Sequence, residues 1–181
     1  MDVVLTTQSL LCRYQDAFQN SQPQACKPIQ KSLQNFPNQR WQIIIKVAVQ
    51  KNIKSRTGFA YEAKSMEGAA LFTGGVSKGR QNPSLVLLDV VGEAILKAKE
   101  LGYYKVIILS HSKRFVQICN GARKPTWQEL TLITDLNHLH QQGLLTLCCW
   151  VPKLVLARVL DLAFITTCFP VHLCRIIPNP L

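Results

Sequence analysis

Ile43-Ile44-Ile45-Lys46-Val47-Ala48-Val49-Gln50 is a β-branched run interrupted by a single Lys. Such a run, bounded by polar residues and too short for an ordinary helix, reads as a strand buried on both faces at the centre of a sheet. The flanking chain is then read outward from it. Downstream, Thr57–Ala63 and Ala69–Val76 flank Lys64-Ser65-Met66-Glu67-Gly68, whose Ser and Gly suit a hairpin turn. Three consecutive strands therefore form a meander.

Alternation follows the meander. After Pro83-Ser84, the residues Leu85, Leu88, Val91, Ile95, Ala98 and Leu101 recur at helical spacing until Gly102, which stops the run as a C-terminal cap does. Lys105–Leu109 is a second buried strand of parallel type, and Lys113–Cys119 a short helix. Thr126 opens another helix with Glu129 as its capping-box partner, running towards Gly143. Leu144–Val151 is a fifth strand and Leu154–Ala163 a last helix. The order β-β-β-α-β-α-α-β-α predicts an α/β domain with a mixed five-stranded sheet and helices on both faces. The domain spans residues 41–165. Residues 1–40, rich in Gln, Asn, Ser and Pro, read as a polar leader or linker, and 166–181 as a C-terminal tail.

With 181 residues and 48% hydrophobic content, the chain has enough apolar matter for one core. Its 21 Lys and Arg exceed its 10 Asp and Glu by 11, which favours an anionic partner, with nucleic acid ahead of a membrane. Seven Cys, with no C-x-x-C pair, suit free thiols better than a zinc site, so no metal is expected from them. The start of the chain carries Asp2 and no early cation, unlike a signal or transit peptide. The apolar stretch Leu154–Phe169 is broken by Arg158 and Asp161 and is shorter than the roughly 20 residues of a spanning helix. The expectation is an intracellular protein without membrane contact; the sequence is silent on oligomeric state.

Ile44–Val49, Thr57-Gly58-Phe59-Ala60, Ala98-Lys99-Glu100-Leu101-Gly102, Val106–Ser112 and Trp150-Val151-Pro152-Lys153 follow one another in this order. Together these segments resemble the ribonuclease H superfamily, in particular the plant branch of reverse-transcriptase-like ribonuclease H domains. The resemblance covers about Trp41 to Ala163. It implies four carboxylates converging on two Mg²⁺ ions that hydrolyse the RNA of an RNA–DNA hybrid. The positions it assigns to them are Gln50 on the first strand, Leu87 on the long helix, His111 within Ser110-His111-Ser112, and Asp161 on the last helix. Only Asp161 is a carboxylate. Leu cannot ligate a hard cation, Gln offers one neutral oxygen, and imidazole prefers borderline metals, so Mg²⁺ is not expected to bind well and catalysis is expected to be lost. Each lost carboxylate raises the net charge by one, so part of the basicity is the trace of a vanished site.

The expected function is weak, sequence-independent binding of an RNA–DNA hybrid or duplex. The candidate contacts are Lys46, Lys51, Lys54, Arg56, Lys113, Arg114, Arg123, Lys124 and Lys153. A residual hybrid ribonuclease and a retroelement-derived relic or protein-interaction domain are the alternatives. Trp127, at a helix start, reads as a core or staple residue before it reads as a stacking platform. His111 reads as the occupant of a vacated position.

Overall fold

The computed structural model describes residues 40–52, 56–168 and 173–176. The elements in chain order are β1 (Ile43–Lys51), β2 (Thr57–Ser65), β3 (Ala70–Ser77), α1 (Pro83–Glu100), β4 (Lys105–Ser110), α2 (Lys113–Cys119), α3 (Trp127–Gln141), β5 (Leu145–Trp150), a 3-10 turn (Lys153–Leu156), α4 (Ala157–Cys168) and β6 (Leu173–Ile176). The sheet order is β5-β4-β1-β2-β3-β6. The first hairpin is antiparallel, from Ile43 opposite Ser65 to Lys51 opposite Thr57. β4 runs parallel to β1, with Ile43 opposite Val106, and β5 runs parallel to β4. The opening run is thus hydrogen-bonded on both edges, and it carries apolar residues on both faces because each face is covered by its own core clusters.

Helix ends follow local chemistry. Asn82 caps α1 by accepting from the Ser84 amide at 2.9 Å, and Pro83 occupies the first turn, where its missing N–H costs nothing. Gly102, at φ +83°, turns the chain out of α1 into β4, a conformation that favours Gly. The residues of β1 divide by parity. Ile43, Ile45, Val47 and Val49 enter the main core with Phe59, Tyr61, Phe72, Val86, Val90 and Ile95, whereas Ile44 and Ala48 face α4.

The five-stranded mixed sheet expected from the sequence is present. Two features extend it. A sixth strand, β6, pairs antiparallel with β3 from Phe72 opposite Ile176 to Gly75 opposite Leu173, so part of the expected tail belongs to the sheet. The last helix opens with a 3-10 turn and continues to Cys168, three residues past the expected boundary at 165. Its extension rests on Thr166 and Thr167, both buried, whose hydroxyls donate to the Ala163 and Phe164 carbonyls at 2.8 and 2.7 Å. Satisfied in this way, they pack as apolar residues do. Gly58 makes room for them, since a Cβ there would collide with the Ala163 carbonyl and the Thr166 hydroxyl. The expected leader, apart from exposed Arg40, lies outside the described residues. Among the described residues no helix is long and apolar enough to cross a membrane.

Candidate nucleic-acid interface

The C-terminal ends of β4 and β5 lie side by side, where open α/β sheets commonly form their binding crevices. Ser112 caps α2 by accepting from the Phe115 amide at 3.3 Å, and the Ser110 hydroxyl accepts from the Ser112 amide at 3.3 Å. Both serines of Ser110-His111-Ser112 therefore serve the backbone. His111 is half-buried; its carbonyl accepts from Trp150 Nε1 at 3.0 Å, while its Nδ1 has no hydrogen-bond partner among the described residues. Burial, and then the nearby Lys153 charge, push the His111 pKa below its ordinary value, so the ring is neutral at pH 7. Lys113 Nζ stands 5.1 Å from the Trp150 ring centroid, a cation–π distance that steadies an otherwise exposed ammonium.

The four positions singled out by the carboxylate pattern have different surroundings. The β1–β4 register sets Lys46 opposite Leu109. The pairing ends there, one residue before β4 itself ends at Ser110. Gln50, half-buried, lies about 6.6 Å beyond Ala48 along β1. Leu87 is buried in the main core beneath α1. Asp89, two residues on, is exposed and pairs with Lys78 at 3.6 Å. Asp161 is exposed on α4 and has no partner among the described residues, while Leu160 beside it packs against both apolar clusters on that face. Among the described residues, no three His, Cys, Asp or Glu side chains stand close enough together to hold a metal ion.

The nine candidate cations also separate. Lys46 points into the α4 face, where Nζ donates to the Val155 carbonyl at 3.2 Å. Burial, then the neighbouring Lys64 and Arg158 charges, lower its pKa against the opposing pull of Glu62. Arg114 is committed to a bidentate pair with Glu129, at 2.6 and 2.7 Å. Arg56 is half-buried, reaching the Ser77 hydroxyl at 3.5 Å, and Lys54 lies outside the described residues. Lys51, Lys113, Arg123, Lys124 and Lys153 are exposed. Arg123 and Lys124 have no side-chain partner among the described residues.

Three residues gain importance that their sequence context hid. Glu62, 3% exposed, gathers Lys64 at 3.7 Å and Arg158 at 3.5 Å, so the cations of the first hairpin are partly neutralised from inside. Trp150 organises the end of β5. Trp127 is 80% exposed, which overturns its reading as a core or staple residue. A helix-start Trp packs when the preceding chain or a neighbouring element covers it. Here Arg123–Thr126 is itself largely exposed.

No protein-family model matches the sequence, and no curated protein matches it. Solved structures do match. An RNase H1 from the halophilic archaeon Halobacterium salinarum is similar at 15% identity and TM-score 0.62, covering 68% of this chain and 96% of that one. The N-terminal RNase H domain of a Mycobacterium tuberculosis protein, solved as a fusion with maltose binding protein, gives 18% identity and TM-score 0.63, over 71% and 94%. The foamy viral protease-reverse transcriptase in complex with dsDNA gives 11% and 0.54, over 69% and 92%. Identities this low carry information about architecture, and the strand order β3-β2-β1-β4-β5 with its flanking helices agrees with it: the chain has the ribonuclease H fold.

Proposed function

We propose that the protein is a nucleic-acid-binding domain of ribonuclease H fold that does not catalyse hydrolysis. The observation that carries this reading is the set of side chains at the four pattern positions: Gln50, Leu87, His111 and exposed Asp161. Two Mg²⁺ ions demand several anionic oxygens in near-octahedral arrangement, and these residues do not fit them. No hydrolytic step is therefore assigned to the site.

Loss of carboxylates changes the field as well as the chemistry. An empty cluster of carboxylates repels phosphate, whereas neutral His111 between Lys113 and Lys153 does not. Exposed Lys113, Lys153, Lys51, Arg123 and Lys124 meet backbone phosphates without reading sequence. Duplex ligands are the natural class, since an RNase H1 of this fold was solved with an RNA/DNA hybrid and the foamy viral enzyme with dsDNA.

The test uses a labelled RNA–DNA hybrid with Mg²⁺ or Mn²⁺, the protein as purified and an Asp161→Asn variant. Binding that weakens as salt rises, without cleavage by either protein, is expected. Metal-dependent cleavage abolished by Asp161→Asn overturns the non-catalytic reading, and affinity indifferent to salt overturns phosphate recognition.

A further inference from the structure

An indole 80% exposed at a rigid corner is an unused binding element. Trp127 is the first residue of α3, and its backbone is held on two sides. Glu129 accepts from the Thr126 amide at 2.7 Å and from the Thr126 hydroxyl at 2.9 Å. The same carboxylate grips Arg114 of α2, so the start of α3 is fixed against α2. Pro125 restricts the backbone of Lys124 before it. The ring thus stands on a fixed support, with Leu130 one turn further on, also exposed.

Its chemical setting selects the ligand. Arg123 and Lys124, immediately upstream, are exposed and free of side-chain partners among the described residues. The nearby acid, Glu129, is buried and already neutralised by Arg114. An apolar plane flanked by unpaired cations suits a ligand that offers a flat ring and a phosphate together. A duplex buries its base faces in the stack; an unpaired strand exposes them.

We propose that Trp127 stacks on an unpaired nucleobase while Arg123 and Lys124 hold the adjoining phosphates, so that the domain favours a duplex bearing a single-stranded flank. The proposal rests on the nucleic-acid reading above and adds the ligand's form. Stacking on an aromatic side chain is sequence-tolerant because every base has a π-face.

The experiment titrates the full chain with a blunt RNA–DNA hybrid and with the same hybrid carrying a DNA overhang of about eight nucleotides, a length within the usual single-strand site size. Trp127→Ala and Trp127→Phe are measured in parallel, with thermal melting to establish that each folds. The overhang is expected to tighten binding about tenfold and to quench Trp fluorescence. Trp127→Ala removes the gain and leaves blunt-duplex affinity unchanged; Trp127→Phe keeps part of the gain. An overhang advantage that survives Trp127→Ala, or polyglutamate competing as well as an oligonucleotide, overturns the stacking role. Blunt-duplex binding with no overhang advantage overturns it too and leaves the broader reading standing. No binding to either duplex overturns both.

Discussion

The two faces of the sheet draw on alternate residues of the same strand, yet they are filled by different rules. Towards α1, β1 presents Ile43, Ile45, Val47 and Val49 to a continuous apolar core. Towards α4 it presents Ile44, Lys46 and Ala48, opposite Lys64, Glu62 and Ala60 on β2. The first face holds the fold together by area and shape. The second is a mosaic in which small apolar clusters surround charges that had to find partners. Leu87, at a position where the resemblance implies a carboxylate, sits on the first face and adds to its core. A Leu there adds apolar area to that core and offers no oxygen to a cation, so this position serves folding.

If the α1 face carries the folding energy, truncation there costs most. Phe72 is fully buried and meets Tyr61 edge-on, with ring centroids 6.1 Å apart. Phe72→Ala is expected to lose about 4 kcal/mol, read as a lower urea midpoint at unchanged slope. A loss below about 1 kcal/mol would mean that the face is not close-packed and would remove the contrast.

The Arg114–Glu129 pair sharpens the comparison from outside both faces, because it is a charged contact that joins α2 to α3. Hydrogen bonds from Arg114 foremost, then from Thr126, hold the Glu129 carboxyl at about 2, against an ordinary 4.5. The folded state therefore binds that proton later than the unfolded chain does. The pair's contribution is fully present above pH 4.5 and disappears as pH falls towards 2. A shift of this size corresponds to at most about 3 kcal/mol, and solvent screening at the partly exposed Arg114 reduces it. Stability measured across that range should fall steeply, and in Glu129→Gln the fall should be shallower from a lower starting point. Equal slopes in the two proteins would show that other groups govern acid unfolding.

Much of this contrast was legible in the sequence. β-branched runs at 43–50 and 105–109 marked the parallel centre, and Gly102 and the Thr126/Glu129 box marked helix ends, because each depends on local backbone chemistry. What escaped depends on partners far along the chain. The four-residue β6 is defined only by its pairing with β3. Thr166-Thr167 fell within the expected tail, and they pack because Gly58, far away in sequence, leaves space beneath them. The face taken by Asp161 turns on helix phase, where one residue is about 100°. Exposure of Trp127 depends on whether the loop before it or a neighbouring element covers it, and no motif encodes that. Cations were legible as residues but not as free charges: Lys46 and Arg114 are bound inside the protein by groups distant in sequence.

Glu62 tests the α4 face directly. It is the buried carboxylate beside Lys64 and Arg158, with Lys46 also within its influence. Glu62→Gln keeps the shape and removes the charge, leaving those cations without their common counter-ion. About 2 kcal/mol of destabilisation is expected, less than for a fully sealed pair because Arg158 is largely exposed. Adding Lys64→Met should recover part of it. If Glu62→Gln is neutral alone, the mosaic face is held by its apolar clusters, and the two faces differ in degree rather than in kind.

The smallest expected effect on stability belongs to Lys113, and it separates holding the fold from meeting a ligand. Its ammonium lies over Trp150 at an exposed site, where a cation–π contact contributes about 0.5 kcal/mol. Lys113→Ala should leave the urea midpoint almost unmoved. In binding, the same change removes one phosphate contact, so the slope of log affinity against log salt should become shallower by about 0.9. Lys46→Met is the matched control on the α4 face: its amine is turned inward onto the Val155 carbonyl, and the salt slope should stay where it was. If both substitutions change the slope equally, inward and outward cations are not distinguished by the ligand, and the division drawn between the nine candidates fails.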